Sequence, residues 1–437
     1  MQIDKTTLTD LSIFHSDEYQ SVFHHLNHTQ TNGGREYLRY LLGNPLNTVK
    51  AIQQTQETIQ HLSEVMNEWP VSPSNGTIMV MEKFYESQIA NYPLNPGLLD
   101  SLWYKFFYGS DFSLTNFTIK HAIDFFQGME KIRILIGGIA KANQLFLIAQ
   151  RIEILLNKVS IKRMLLQDKT TLSATDILVY ASFIRLQFKS QLFELIDIYS
   201  KLDAYMSMAK AGEKYEFCYP EIIEQQQPYL ESKGLFHFLL ETPISYDISL
   251  TEKDNFLFLT GANMAGKSTF IKAAGLGVYL AHIGMGVPAK MMRLSVFDGL
   301  LSNIQVQDNM MKGESFFFNE VQRIKNTIER ISDGKKWLIL IDELFKGTNQ
   351  QDAVKCSTTV IEGLRKLPNA LFILSTHLYE IGDNLRQYKN IQFMYFETAV
   401  ENDQLVFSYQ LKEGISNDRI GYLILKREGV INLLEKL

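Results

Sequence analysis

The chain has 437 residues, enough for two or three domains, and its 46% hydrophobic and 21% charged residues exclude a disordered polypeptide. A net charge of −5 at pH 7 excludes a global basic field for nucleic acid, so any DNA contact has to come from a local patch. The two cysteines, Cys218 and Cys356, stand far apart in no ligand spacing, which excludes a disulfide framework and fits a reducing cytoplasm.

The N-terminus, MQIDKTTLTD, has no basic segment leading into an apolar one, so no signal peptide is expected. From there to about residue 230, Gly and Pro are sparse. They cluster at Gly33-Gly34, Asn44-Pro45, Pro70 to Gly76 and Pro93 to Gly97, which punctuate long elements. The most apolar long segment, Ile132 to Ala149, carries Arg133, Lys141, Asn143 and Gln144 and falls short of a membrane span. In Gln191 to Lys210 the apolar residues Leu195, Ile198, Tyr199, Leu202, Tyr205, Met206 and Ala209 follow the period of one helix face, the stripe of a packed core helix. These features predict a mostly helical domain over residues 1–232.

Tyr219-Pro220 to Gly234 reads as the join, and residues 233–437 as an α/β domain. Strand-length apolar runs fall at Phe256–Leu259, Leu338–Ile341 and Leu371–Leu374. Each ends in a polar turn: TGANMAGKST, DELFKGTN and STH. Strands alternating with helices imply a parallel sheet covered by helices, with its chemistry at the carboxyl ends of the strands. Further strand character lies at Leu405–Leu411, and a helix is expected from about Asp418.

The pattern G-x-x-x-x-G-K-S is met by Gly261, Gly266, Lys267 and Ser268, after an apolar strand and before a helical stretch, Thr269 to Ala281. Such a loop, here Gly261, Ala262, Asn263, Met264, Ala265 and Gly266 followed by Lys267, Ser268 and Thr269, wraps a phosphate with its backbone N–H groups and the positive end of the helix. Lys267 would reach the β- and γ-phosphates, and Ser268 would ligate Mg²⁺. Asp342 suits the metal contact, and Glu343 the base or orienter of an attacking water. His377, closing LFILSTH, stands where an imidazole could sense the γ-phosphate.

TGANMAGKST closely resembles the ATP-binding loop of the MutS family of DNA mismatch-repair ATPases. The resemblance continues in AHIGMGVPA (Ala281–Ala289), in Asp308 through GESFFFNE (Gly313–Glu320), in DELFKGTNQQDA (Asp342–Ala353) and in GISNDRIGYLILKREGV. In front, Phe23–Leu46 resembles the start of the family's helical core domain, and Leu202–Pro220 the end of its long levers. The resemblance starts near Ser21. On this reading the chain is expected to lack the family's mismatch-reading and connector domains and its C-terminal dimerising helices, and Asn47 to Lys201 is short for two levers and a DNA clamp. Ala262 and Ala265 replace the usual Pro and Gly, and Tyr246 stands where the family has Asn. Tyr246 reads as a core aromatic rather than a ring stacked on adenine.

The resemblance implies a helical lever domain followed by a P-loop ATPase domain with a mostly parallel sheet, using ATP and Mg²⁺. It implies that Ser315, with Glu320, completes the γ-phosphate site of a second copy, so that activity needs a homodimer with two ATPs between protomers. It further implies a cytoplasmic ATP-driven switch on DNA, with repair proteins as possible partners, no membrane and no classical mismatch reading. The alternative is a dimeric ATP-dependent scaffold that engages a protein partner through the helical half. The basic residues Lys158, Lys162 and Arg163 are candidates for DNA contact but read better as a solvated helix face. A generic small-molecule kinase is disfavoured, since no acceptor site is evident and GESFFFNE has no place in one.

Overall fold

The computed structural model describes residues 1–89, 92–93, 96–138, 144–304, 316–401, 404–416 and 430–434. The chain divides into two compact units. One comprises Met1–His25, Asn44–Gln53 and Lys214–Leu437, and the other Leu26–Gly43 and Gln54–Glu213.

The helical unit is built on two long helices, Gly109–Gly137 and Lys189–Lys214, of 29 and 26 residues. The stripe expected in the second is real: Leu195, Tyr199, Leu202, Tyr205, Met206 and Ala209 are buried, and only Ile198 is half-exposed. The helix Asn32–Gly43 starts on a clasp of side chains. The Asp203 carboxylate accepts the N–H groups of Gln30 and Thr31 and the Thr31 hydroxyl at 2.7–3.0 Å. Gly34 is required beside it, since a Cβ there would fall 2.1 Å from Asp203 Oδ2. Lys158, Lys162 and Arg163 lie exposed at one short helix, as a solvated face. No helix among the described residues is long and apolar enough to cross a membrane.

The α/β unit holds two sheets. Its strands are β1 (Gln2–Ile3), β2 (Glu221–Ile223), β3 (Leu230–Leu235), β4 (Tyr246–Leu250), β5 (Phe256–Thr260), β6 (Met291–Ser295), β7 (Gly299–Asn303), β8 (Trp337–Asp342), β9 (Ala370–Ser375), β10 (Ile391–Glu401) and β11 (Gln404–Glu413). The main sheet runs β1-β7-β8-β9-β5-β10-β11, parallel throughout except for the β10–β11 hairpin. The second sheet runs β2-β6-β3-β4. The three apolar runs singled out in the sequence become β5, β8 and β9, neighbours at the centre of the main sheet. They are buried on both faces, as continuous apolar strands of a covered parallel sheet must be. The helix from about Asp418 is described only at Val430–Leu434.

The expected division at residue 232 differs from the compact units. Residues 1–25 belong with the α/β unit because β1 extends its sheet beside β7, and the helix Lys5–Asp10 follows it onto that edge. There the Asp10 carboxylate accepts from Ser302 Oγ at 2.5 Å and from the Ile304 N–H at 3.0 Å, while Thr7 Oγ1 accepts from the Ser302 N–H. Residues 214–232 belong to the same unit because β2 and β3 join the second sheet. The helix Lys267–Ile283 crosses this unit with nearly every residue buried. Its His282 is fully buried; Nδ1 lies 2.9 Å from the Leu46 carbonyl and Nε2 accepts from the Phe297 N–H, partners that select the neutral Nδ1–H tautomer.

Candidate active site

β5 feeds directly into the loop Gly261–Gly266. The backbone turns into positive φ at Gly261 (139°), Met264 (68°) and Gly266 (107°), which lets the chain fold back and enter the helix Lys267–Ile283. The first N–H groups of that helix have no partner within it and carry the positive end of its dipole. Ala262 and Ala265, within the loop, are both buried.

Lys267 is buried. Its ammonium donates to the carbonyls of Gly261 at 2.6 Å and Ala262 at 2.9 Å. Burial lowers its pKa, against the opposing pull of Glu343 and Asp342. Asp342, at the end of β8, accepts from Ser268 Oγ through Oδ2 at 2.5 Å and from Ser375 Oγ through Oδ1. Ser268 Oγ and Asp342 Oδ2 are hard oxygens side by side beside the loop. That donor pair suits Mg²⁺, which takes one or two protein oxygens and completes its shell with water and phosphate oxygens.

Glu343 and Phe345 take positive φ, at 65° and 58°, in residues for which this costs about 1–2 kcal/mol each. The loop is held there from two sides. The Glu343 N–H donates to the Ser375 carbonyl, and the buried Glu320 carboxylate accepts the N–H groups of Lys346 and Gly347 at 3.0 and 3.1 Å. Glu343 faces Lys346 Nζ at 3.2 Å and His377 Nδ1 at 3.5 Å. Burial alone would raise its pKa, but the imidazole and the ammonium outweigh burial and hold the carboxyl at about 2. It is therefore ionised across the neutral range.

Beside the loop a cleft of about 750 Å³ is lined by Tyr246, Met264, Lys267, Ser268, Asp342, Glu343 and Tyr409, and by the segment Leu240, Glu241, Thr242 and Ile244. Its size is that of a small-ligand site. Tyr246 is buried edge-on against Phe270 and Phe396 at 5.5 Å between ring centroids, a core aromatic that also borders the cleft.

Gly261 to Thr269, Asp342, Glu343 and His377 thus come together at the ends of three adjacent strands. Ser315 lies outside the described residues. The Glu320 carboxylate holds the loop after β8 of its own chain. Sequence reasoning missed Ser375 and Lys346, although both stand inside quoted turns. It also missed Tyr409, which arrives from β11 with no local motif to announce it.

A parallel sheet with a phosphate loop after one strand and an acidic pair at the end of a neighbour defines a P-loop domain. Residues 257–432 match the MutS domain V family. The chain is 28% identical over 250 residues to the DNA mismatch repair protein MutS of Lactococcus lactis subsp. cremoris (strain SK11), covering 56% of this chain and 29% of that protein. It is 30% identical over 228 residues to the DNA mismatch repair protein MutS of Listeria welshimeri, covering 51% and 26%. It is 31% identical over 239 residues to the human MutS protein homolog 4, covering 52% and 25%. Residues 257–432 thus resemble MutS domain V, and the chain spans about a quarter of the length of these relatives.

Proposed function

We propose that this protein binds and hydrolyses ATP with Mg²⁺ and uses the cycle to switch conformation on DNA, in mismatch repair or related DNA maintenance. The convergence of Lys267, Ser268, Asp342 and Glu343 on one cleft carries this reading. The phosphates of ATP would lie along the loop 261–266. Lys267 would leave the carbonyls of Gly261 and Ala262 for the β- and γ-phosphates. Bound Mg²⁺ would neutralise phosphate charge, held by Ser268 directly and by Asp342 through water. Asp342 is already oriented for this by Ser375. Glu343, ionised and restrained by Lys346 and His377, would orient the attacking water and draw its proton as the water oxygen bonds to the γ-phosphorus and the bond from that phosphorus to the bridging oxygen breaks, releasing ADP. His377 would sense the γ-phosphate through the same carboxylate. Ser315 of a second copy would complete the site, making the active species a homodimer. The division into a lever-like helical domain and an ATPase domain, and residence in the cytoplasm, belong to the same proposal.

Replacing Glu343 by Gln keeps the shape and removes the base, so ATP binding should persist while turnover falls by roughly 10²–10⁴-fold. Unchanged turnover would assign the base elsewhere, with His377 next in line. The DNA part is tested by titrating duplex, mismatched, junction and single-stranded DNA at low and high salt, with and without ATP. Binding that weakens steeply with salt is expected. Its absence on every substrate would leave the protein-scaffold reading in its place.

A further inference from the structure

The helix Leu98–Phe107 is built inside out. Leu98, Leu102 and Phe106 recur every four residues, and Leu99, Trp103 and Phe107 form the adjacent row. In a helix these two rows share one broad face. That face points to solvent: Leu99 and Phe106 are 83% and 81% exposed, and the other four 54–75%. The opposite side, with Ser101 and Tyr104, is buried and anchors the helix to its unit. The exposed rings are organised among themselves. Trp103 and Phe107 lie 4.9 Å apart between centroids, and Phe106 and Phe107 5.2 Å.

The size and charge of this face say what covers it. Three aromatic side chains of roughly 150–250 Å² each and three leucines, about two-thirds exposed, present on the order of 800 Å², which is what one partner buries in a standard interface. The largest apolar patch on a typical monomer is about 300–600 Å². The face is also electrically blank. Asp100 accepts the Gly97 N–H at the start of the helix, Lys105 sits 5.6 Å from the Phe112 ring centroid, and neither stands in the two apolar rows. A membrane-surface helix carries a rich basic border, and a single-strand nucleic-acid platform sits in a basic groove. This helix has one lysine. An isologous contact favours such a blank face, because a charge near the two-fold axis meets its own sign.

We propose that the helix Leu98–Phe107 is a self-association face, on which a second copy of this chain packs the same helix without need of nucleotide. This contact is independent of the ATP reading. Sedimentation velocity of the full chain without nucleotide at micromolar concentration should give the dimer mass. The paired substitution Leu99→Asp with Phe106→Asp should weaken association at least roughly ten-fold while leaving the circular dichroism of the folded chain unchanged, since both side chains are in water in the single chain. In a separate variant, Leu102→Cys should form an oxidised intermolecular disulfide that the wild-type cysteines, Cys218 and Cys356, do not. A wild-type chain that stays monomeric at tens of micromolar would overturn the proposal. So would a dimer that survives the paired substitution and yields no Leu102→Cys cross-link. Flotation of the wild type, but not the variant, with neutral phosphatidylcholine vesicles would overturn it in favour of lipid.

Discussion

The Lys267 ammonium donates to carbonyls of its own loop, and burial already disfavours its charge. A phosphate offers it a full counter-charge, so exchanging carbonyls for phosphate oxygens is favourable. Lys267→Ala should abolish ATP binding or weaken it at least roughly 100-fold, measured by isothermal titration. Affinity within a few-fold of wild type would remove the loop from the site. His282 makes a second prediction. Burial first of all, in the neutral form that its two backbone partners require, holds its pKa at about 4, below the 6.5 of a free imidazole. Below pH 6.5 the unfolded chain takes up the proton and the folded chain does not, so stability is intact above 6.5, falls as the pH drops toward 4, and then levels. The size of the effect is about 3 kcal/mol. His282→Gln should remove that part of the pH slope in urea titrations run between pH 7 and 4, and an unchanged slope would mean that His282 protonates in place.

The start of the helix Asn32–Gly43 shows how one element depends on another far along the chain. Asp203, on the helix Lys189–Lys214, accepts the N–H groups of Gln30 and Thr31, the two residues that lead into the helix Asn32–Gly43. Asp203→Ala takes the acceptor from the buried Thr31 N–H and hydroxyl, and from the Gln30 N–H beside them, and should cost about 2–4 kcal/mol. Gly34→Ala drives a methyl against the same carboxylate and should destabilise through the same loss. The two together should therefore cost clearly less than the sum of the singles. Denaturation of the four proteins checks this, and additivity would mean that Gly34 serves something other than room for Asp203. The strand ends of the α/β unit follow a similar logic. The strained Glu343 loop is held by Glu320 from one helix and by Ser375 from the next strand, so the geometry of the acid is set by elements on both sides.

At the scale of the whole molecule, two association events are separable. One is the nucleotide-independent contact through Leu98–Phe107, and the other the ATP sandwich in which Ser315 reaches a second copy's γ-phosphate. A chain carrying Leu99→Asp and Phe106→Asp isolates the second. In that background, Glu343→Gln with ATP and Mg²⁺ should move from monomer to dimer in light scattering, and Ser315→Arg should prevent the shift by bulk and by like charge near Lys267. A trapped variant that holds its ATP and stays monomeric at micromolar concentration would remove the sandwich.

The phosphate loop, its strand and the acidic pair were legible in the amino-acid order because each is a contiguous segment whose chemistry depends on spacing along the chain. The burial of β5, β8 and β9 was legible for the same reason, since a strand covered on both faces must be apolar throughout. The stripe of the helix Lys189–Lys214 followed from its period. The tertiary structure alone decided the rest. Asp10 meets Ser302 across 292 residues, and Asp203 meets Thr31 across 172. A single buried carboxylate has no periodicity to reveal its partner. Residues 1–25 fall within the expected helical domain because a two-residue strand and a six-residue helix carry no pattern of their own, and they become sheet and edge cover only when β7 is beside them. Glu320 stands within a segment that resembles a family motif, and its bonds run to the backbone of its own chain, because the loop after β8 comes to lie within its reach. The apolar rows of Leu98–Phe107 show the limit most plainly. Their helical period is visible in the residues, but whether that face turns inward or outward is set by which side Tyr104 buries, and only packing chooses it.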